Sequence, residues 1–61
     1  MTLNEFLFDS VENFESIYID YNEHTKELTP ALYDMLESCE VLQWYLDIKQ
    51  YKPCIIIKVE Y

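Results

Sequence analysis

The chain reads as an α+β domain: a small antiparallel β-sheet of about three strands packed with one or two helices, in the order helix, strand, helix, strand, strand. Three observations predict this. Apolar residues recur at spacings of three and four in two short stretches, the mark of a helix with one buried face. β-rich segments with period-two alternation follow those stretches. Of the 61 residues, 51% are hydrophobic and 16% aromatic, which opposes disorder despite a net charge of −8. A sheet with one apolar face must bury it, and one or two helices are the simplest cover. Residues 1–61 are read as one domain. A chain this short buries only about 60% of the surface its unfolded form exposes, so the core is small.

The first helix is expected over about residues 3–13. Thr2 and Glu5 have the spacing of a capping box, in which hydroxyl and carboxylate satisfy two orphan amides. Leu3, Phe6, Leu7, Val11 and Phe14 form its apolar stripe, and Phe8 lies off it. A strand over residues 5–8 is the weaker alternative. Residues 15–21 read as a strand with Ile17, Ile19 and Tyr21 on one face and Tyr18 and Asp20 on the other. The polar stretch from Asn22 to Glu27 reads as a loop.

Thr29-Pro30 is a good start for the second helix, because Thr can cap and Pro is tolerated at the first helical position. Leu32, Met35, Leu36 and Cys39 form its stripe, with Asp34, Glu37 and Ser38 opposite. Near Glu40 the period changes. Leu42, Trp44, Leu46 and Ile48 alternate with Gln43, Asp47 and Lys49, which reads as a strand. One helix over residues 30–48 is the open alternative. Lys49 to Pro53 reads as a connection. Residues 54–60 read as a last strand with Ile55, Ile57 and Val59 inward and Pro53 at its start, where no ladder donor is needed. The chain has no glycine, so tight left-handed turns are expected to be few.

Charge and composition exclude several functions. The chain carries 12 Asp and Glu against 4 Lys and no Arg. Such a field repels nucleic acid and membranes and attracts basic protein surfaces. Acids on a small aromatic-rich domain also serve plain solubility. No apolar run reaches the ~20 residues of a membrane span, and no secretory signal is visible. Cys39 and Cys54 lack a metal or redox spacing and read as reduced thiols in a cytoplasmic protein, with a disulfide as the minor alternative. No catalytic residues, cofactor or metal are expected. His24 stands alone in a polar loop, and Ser10, Ser16 and Ser38 lack a nucleophile context.

Two short motifs point further. Glu15-Ser16-Ile17 follows the first helix, and Tyr51-Lys52-Pro53 precedes the apolar run from Cys54 to Val59. Their order on a strongly acidic chain resembles the uracil-DNA glycosylase inhibitors of Bacillus phages, the Ugi type. The two motifs cover about a quarter of the chain, and its middle does not align with that family. The chain is also shorter than the family's founding member and reads as lacking a strand hairpin.

The resemblance implies an inhibitor that mimics DNA and forms a 1:1 complex with uracil-DNA glycosylase. That enzyme pushes an apolar wedge into the base stack to expel uracil, a need it shares with other base-flipping enzymes. The inhibitor would place an acidic edge strand in the DNA groove and seat the wedge in an apolar pocket. By resemblance, Glu15, Ser16 and Ile17 form the inserting strand. Glu15 takes the part of a phosphate, Ser16 adds a polar contact and Ile17 packs at the site's edge. The pocket has no residue-by-residue match and is placed by position: Ile19, Leu32, Met35, Leu36, Leu42 and Ile57. Asp34 and Glu37 are candidates for further phosphate mimicry. Two other readings stay open, a mimic aimed at another DNA-binding protein such as a restriction or CRISPR nuclease, and an accessory subunit whose aromatic face buries in a partner.

Overall fold

The computed structural model describes residues 1–10 and 16–61 of the chain. Among these residues the fold is α+β. Its elements are α1 (Leu3–Ser10), β1 (Ser16–Tyr21), β2 (His24–Glu27), α2 (Pro30–Leu36), β3 (Glu40–Lys49) and β4 (Lys52–Glu60). The strands form one mixed sheet in the order β2-β1-β4-β3.

Two features of the sheet differ from expectation. Residues 24–27, read as loop, form β2, paired with β1 from Tyr18–Glu27 to Tyr21–His24. All four β2 residues are exposed, so no buried face imposes an apolar alternation on them. The central pair, β1 with β4, is parallel, whereas a wholly antiparallel sheet was expected. The chain reverses at β2, crosses back through α2 and reverses again at β3. It therefore re-enters the sheet in the direction of β1.

Both helix starts form as their sequences predict. The Thr2 amide donates to Glu5 Oε1 at 3.0 Å, and the Glu5 amide donates to Thr2 Oγ1 at 3.3 Å. Thr29 caps α2 by accepting from the Leu32 amide at 3.2 Å, with Pro30 in the first turn. The helices are tied together where the Tyr33 hydroxyl donates to Asn4 Oδ1. Residues 41–48 are strand, so the long second helix does not form.

The core lies between the helices and one sheet face. Leu3 and Phe6 of α1 and Leu32 and Leu36 of α2 close over Ile19, Ile55, Ile57 and Val59. β4 is interior and buries Cys54, Ile55, Ile56 and Ile57 in succession. Four apolar residues in a row are what a strand covered on both faces requires. On the far face, Ile56 sits in register between Tyr18 and Tyr45. The Lys49 ammonium lies 5.2 Å from the Tyr18 ring centroid, within cation–π range.

The absence of glycine does not prevent tight turns. Asn22 and Glu23 join β1 to β2, and Gln50 and Tyr51 join β3 to β4, all four at φ between 48° and 66°. Two consecutive left-handed residues match the twist of a two-residue hairpin. Asparagine tolerates that region, but Glu, Gln and Tyr are held there against about 1–2 kcal/mol each.

Candidate partner-binding site

An open cleft of about 360 Å³ lies between α2 and the β1–β2 hairpin. Its apolar lining is Ala31, Leu32 and Met35 from α2 and Tyr21 from β1; Lys26, Glu27 and Thr29 add polar atoms. The geometry follows from the local sequence. The Thr29 cap starts α2, and the helical period puts Ala31 and Met35 on one face, one turn apart. Leu32 turns inward and is buried, while Met35 stays 43% exposed at the mouth. Unbranched and polarizable, methionine can adapt to an inserted side chain.

One acid lines this cleft, and others are exposed on the elements that form it. Glu27 lines it, and Asp34 is exposed on α2 three residues from Ala31, hence a surface neighbour of it. Glu23 is exposed in the turn of the same hairpin, and Glu37 is exposed at the C-cap of α2. Lys26 is the cation on the rim. The arrangement can accept one apolar side chain and present carboxylates beside it. Among the described residues no group of three or more His, Cys, Asp or Glu could hold a metal ion.

The expected site is only partly assembled. Of the residues assigned to the pocket, Leu32 and Met35 line the cleft. Ile19, Leu36 and Ile57 have no exposed surface, being spent on the core, and cannot line an open pocket. Leu42 is on the wrong strand: it sits at a bulge in β3, 53% exposed, with β4 and β1 between it and β2. Asp34 and Glu37 are exposed, as surface acids must be.

The edge-strand role needs the larger correction. Glu15 lies outside the described residues. Ser16 and Ile17 are half-buried at the start of β1, and β1 is an interior strand with β2 on one side and β4 on the other. Its ladder groups between Tyr18 and Tyr21 are already matched to β2, so β1 has no free edge there to insert into a groove. Only Ser16 and Ile17 extend past the last β2 partner, and the Ile17 carbonyl accepts the Leu28 amide at 2.8 Å. Sequence reasoning missed Tyr21, Lys26, Glu27, Thr29 and Ala31 as cleft residues. Tyr21 and Thr29 were legible as an inward strand residue and a helix cap; Lys26 and Glu27 were hidden in a segment without pattern.

Away from the cleft, a second electrostatic cluster pins the N-terminus. The Met1 ammonium donates to Glu40 Oε1, and this hydrogen bond raises its pKa from the ordinary 8.0. Hydrogen bonds from the Thr2 amide and hydroxyl lower the Glu5 pKa from the ordinary 4.5. Cys54 is buried and Cys39 half-buried, both as free thiols. No helix among the described residues is long and apolar enough to cross a membrane. Compared with protein-family models, curated proteins and solved structures, the chain matches none of them.

Proposed function

We propose that this chain is a binding protein, not a catalyst: an acidic mimic of DNA that inhibits uracil-DNA glycosylase in a 1:1 complex. The single observation that supports the reading is the cleft, a largely apolar slot lined by a half-exposed methionine, with Glu27 and Lys26 among its polar residues. The resemblance of Glu15-Ser16-Ile17 and Tyr51-Lys52-Pro53 to the inhibitor family selects the target. The working place would be the cytoplasm of a bacterial host, with the gene carried by a phage or mobile element.

The mechanism differs from the insertion of an edge strand. The enzyme's apolar wedge enters between Leu32 and Met35. Burying one such side chain contributes about 1.5–3 kcal/mol without the cost of unstacking bases. Glu27 and Asp34 stand where phosphates would flank the wedge. Glu15 and Ser16 supply the remaining polar contacts, and Ile17 packs at the edge of the site. The net charge of −8 steers the chain toward a basic groove.

The test is a uracil-excision assay with increasing amounts of this protein. Excision is expected to stop near one equivalent. Met35→Lys, at an exposed position, should weaken inhibition roughly tenfold or more, since an ammonium replaces the apolar contact. Excision that continues at full rate with excess protein removes the glycosylase as target. The interior position of β1 favours one alternative, another DNA-binding protein whose basic groove needs only the acids. Capture from bacterial lysate, competed by DNA, would then yield that protein instead.

A further inference from the structure

Among the described residues the sheet has a second free edge, and it is unlike the first. β3 is the outer strand beside β4. Its first two residues are covered on the open side: Thr2 bridges Glu40, and the Val41 amide donates to the Met1 carbonyl at 2.8 Å. From Gln43 to Lys49 no described strand pairs with that side. Trp44, Leu46 and Ile48 lie opposite Ile57, Ile55 and Pro53, and so on the helix-side face. They are 51%, 60% and 72% exposed. Phe6 of α1 reaches Trp44, with ring centroids 5.8 Å apart.

The backbone groups of this edge can be assigned. Ile48 faces Pro53, which has no amide proton, and the Ile48 amide instead donates to its own neighbour, Asp47 Oδ1, at 2.8 Å. The amide and carbonyl of Ile48 therefore point away from β4. By the alternation of an antiparallel ladder, so do those of Leu46 and Trp44.

We infer that β3 is the pairing edge of a two-fold dimer, in which a second copy of this chain lies antiparallel along residues 43–49 and extends the sheet to eight strands. One register satisfies the observations. Leu46 stands opposite Leu46 of the second copy, and Trp44 opposite Ile48. This matches the outward backbone groups of residues 44, 46 and 48, with the Ile48 amide exchanging Asp47 Oδ1 for the second copy. It leaves residues 40 and 41, which Met1 and Thr2 cover, out of the strand pairing. Gln43 then faces Lys49 and Tyr45 faces Asp47, with no like charges directly opposite. A second copy is the occupant that the charge distribution favours. Residues 1–39 hold nine acids and one lysine, whereas residues 40–61 hold three acids and three lysines. The hairpin that carries this edge is therefore neutral, and two copies can meet there while their acidic parts stay apart.

Sedimentation velocity on the whole chain, from roughly micromolar to millimolar, tests this. The mass should rise from 7.4 kDa to twice that value. Leu46→Lys places two ammonium groups on the two-fold axis and should weaken dimerisation tenfold or more, roughly, with an unchanged circular dichroism spectrum. Thr25→Lys on β2 should leave the dimer intact. A monomer throughout the range overturns the proposal, as do open-ended aggregates. A dimer that Leu46→Lys leaves intact, or that Thr25→Lys weakens equally, does the same. None of these outcomes depends on glycosylase inhibition.

Discussion

The β1–β2 hairpin closes on Asn22-Glu23 and the β3–β4 hairpin on Gln50-Tyr51, each pair in the left-handed region. There the likeness ends. β2 has four residues, all exposed and all polar, and beside it lies the cleft. β3 has ten, with Leu42, Trp44, Tyr45, Leu46 and Ile48 all more than 40% exposed. A short charged edge is one of the devices by which proteins discourage pairing with another chain, whereas a long apolar edge invites it. The molecule thus keeps two kinds of surface on opposite sides of one sheet. The α2 and β2 side offers carboxylates and one apolar slot. The β3 side offers backbone and greasy side chains in a neutral field. In so small a chain, both surfaces depend on the same few interior residues.

The largest expected effect breaks that shared support. Ile57 stands in register between Ile19 and Trp44, has no exposed surface, and couples the two hairpins. Ile57→Ala should cost about 2–5 kcal/mol, a large part of the stability of a domain this size. Urea denaturation checks it, with the lost stability read from the midpoint. Leu42→Ala, at the β3 bulge, should change stability by only about 0.5 kcal/mol. Equal effects at the two positions would mean that the core is not where the burial pattern puts it.

A smaller effect compares the turns directly. Glu23→Gly makes an Asn-Gly pair, the preferred chemistry for this turn, and Tyr51→Gly relieves the same strain at the other hairpin. Each should stabilise by about 0.5–1 kcal/mol, the left-handed penalty less the entropy that glycine adds to the unfolded chain. Thermal unfolding at low protein concentration reads both. Tyr51 is fully exposed, so its side chain gives no packing to lose. If Tyr51→Gly fails to stabilise while Glu23→Gly succeeds, the two turns are not equivalent and Tyr51 is held by something other than backbone geometry.

Much of this architecture was legible because burial writes a period into the sequence. The change of period at Glu40 and the inward set Ile55, Ile57 and Val59 follow from that rule, while the Thr2–Glu5 box and the Thr29-Pro30 start follow from the need to satisfy the first amides of a helix. β2 was illegible for the converse reason: a strand exposed on every residue carries no such mark. The parallel pairing of β1 with β4 depends on how many times the chain reverses, so missing β2 also lost the sheet's direction. The site suffered in the same way. Helical spacing found Leu32 and Met35, but spacing cannot separate an apolar residue at a cleft from one in the core. Leu36, Ile19 and Ile57 were accordingly placed on the wrong side of that division.

The smallest effect concerns the strap that guards one end of β3. Glu5 holds Thr2 through the capping box, and Thr2 bridges Glu40, to which the Met1 ammonium also donates. The two ends of this strap titrate in opposite directions. Glu5 has a lowered folded-state pKa, so its contribution is full above the ordinary 4.5 and fades as pH falls through the depressed value. The Met1 amine has a raised pKa, so its contribution is full below 8.0 and fades as pH rises through the elevated value. Stability should therefore be flat between these limits and decline slightly on each side. Both groups are solvent-exposed, and the declines should be small beside the loss from Ile57→Ala. Glu5→Gln should flatten mainly the acid limb, and Glu40→Gln mainly the alkaline limb, in thermal unfolding followed across pH, because the Met1 and Glu5 charges also act weakly on each other. A strap that loosens at high pH uncovers the first residues of β3. Dimerisation at residues 43–49 should continue there, because the proposed register does not use Glu40 or Val41. If raising the pH abolishes the dimer while the fold persists, the pairing register must begin nearer the N-terminal end of β3.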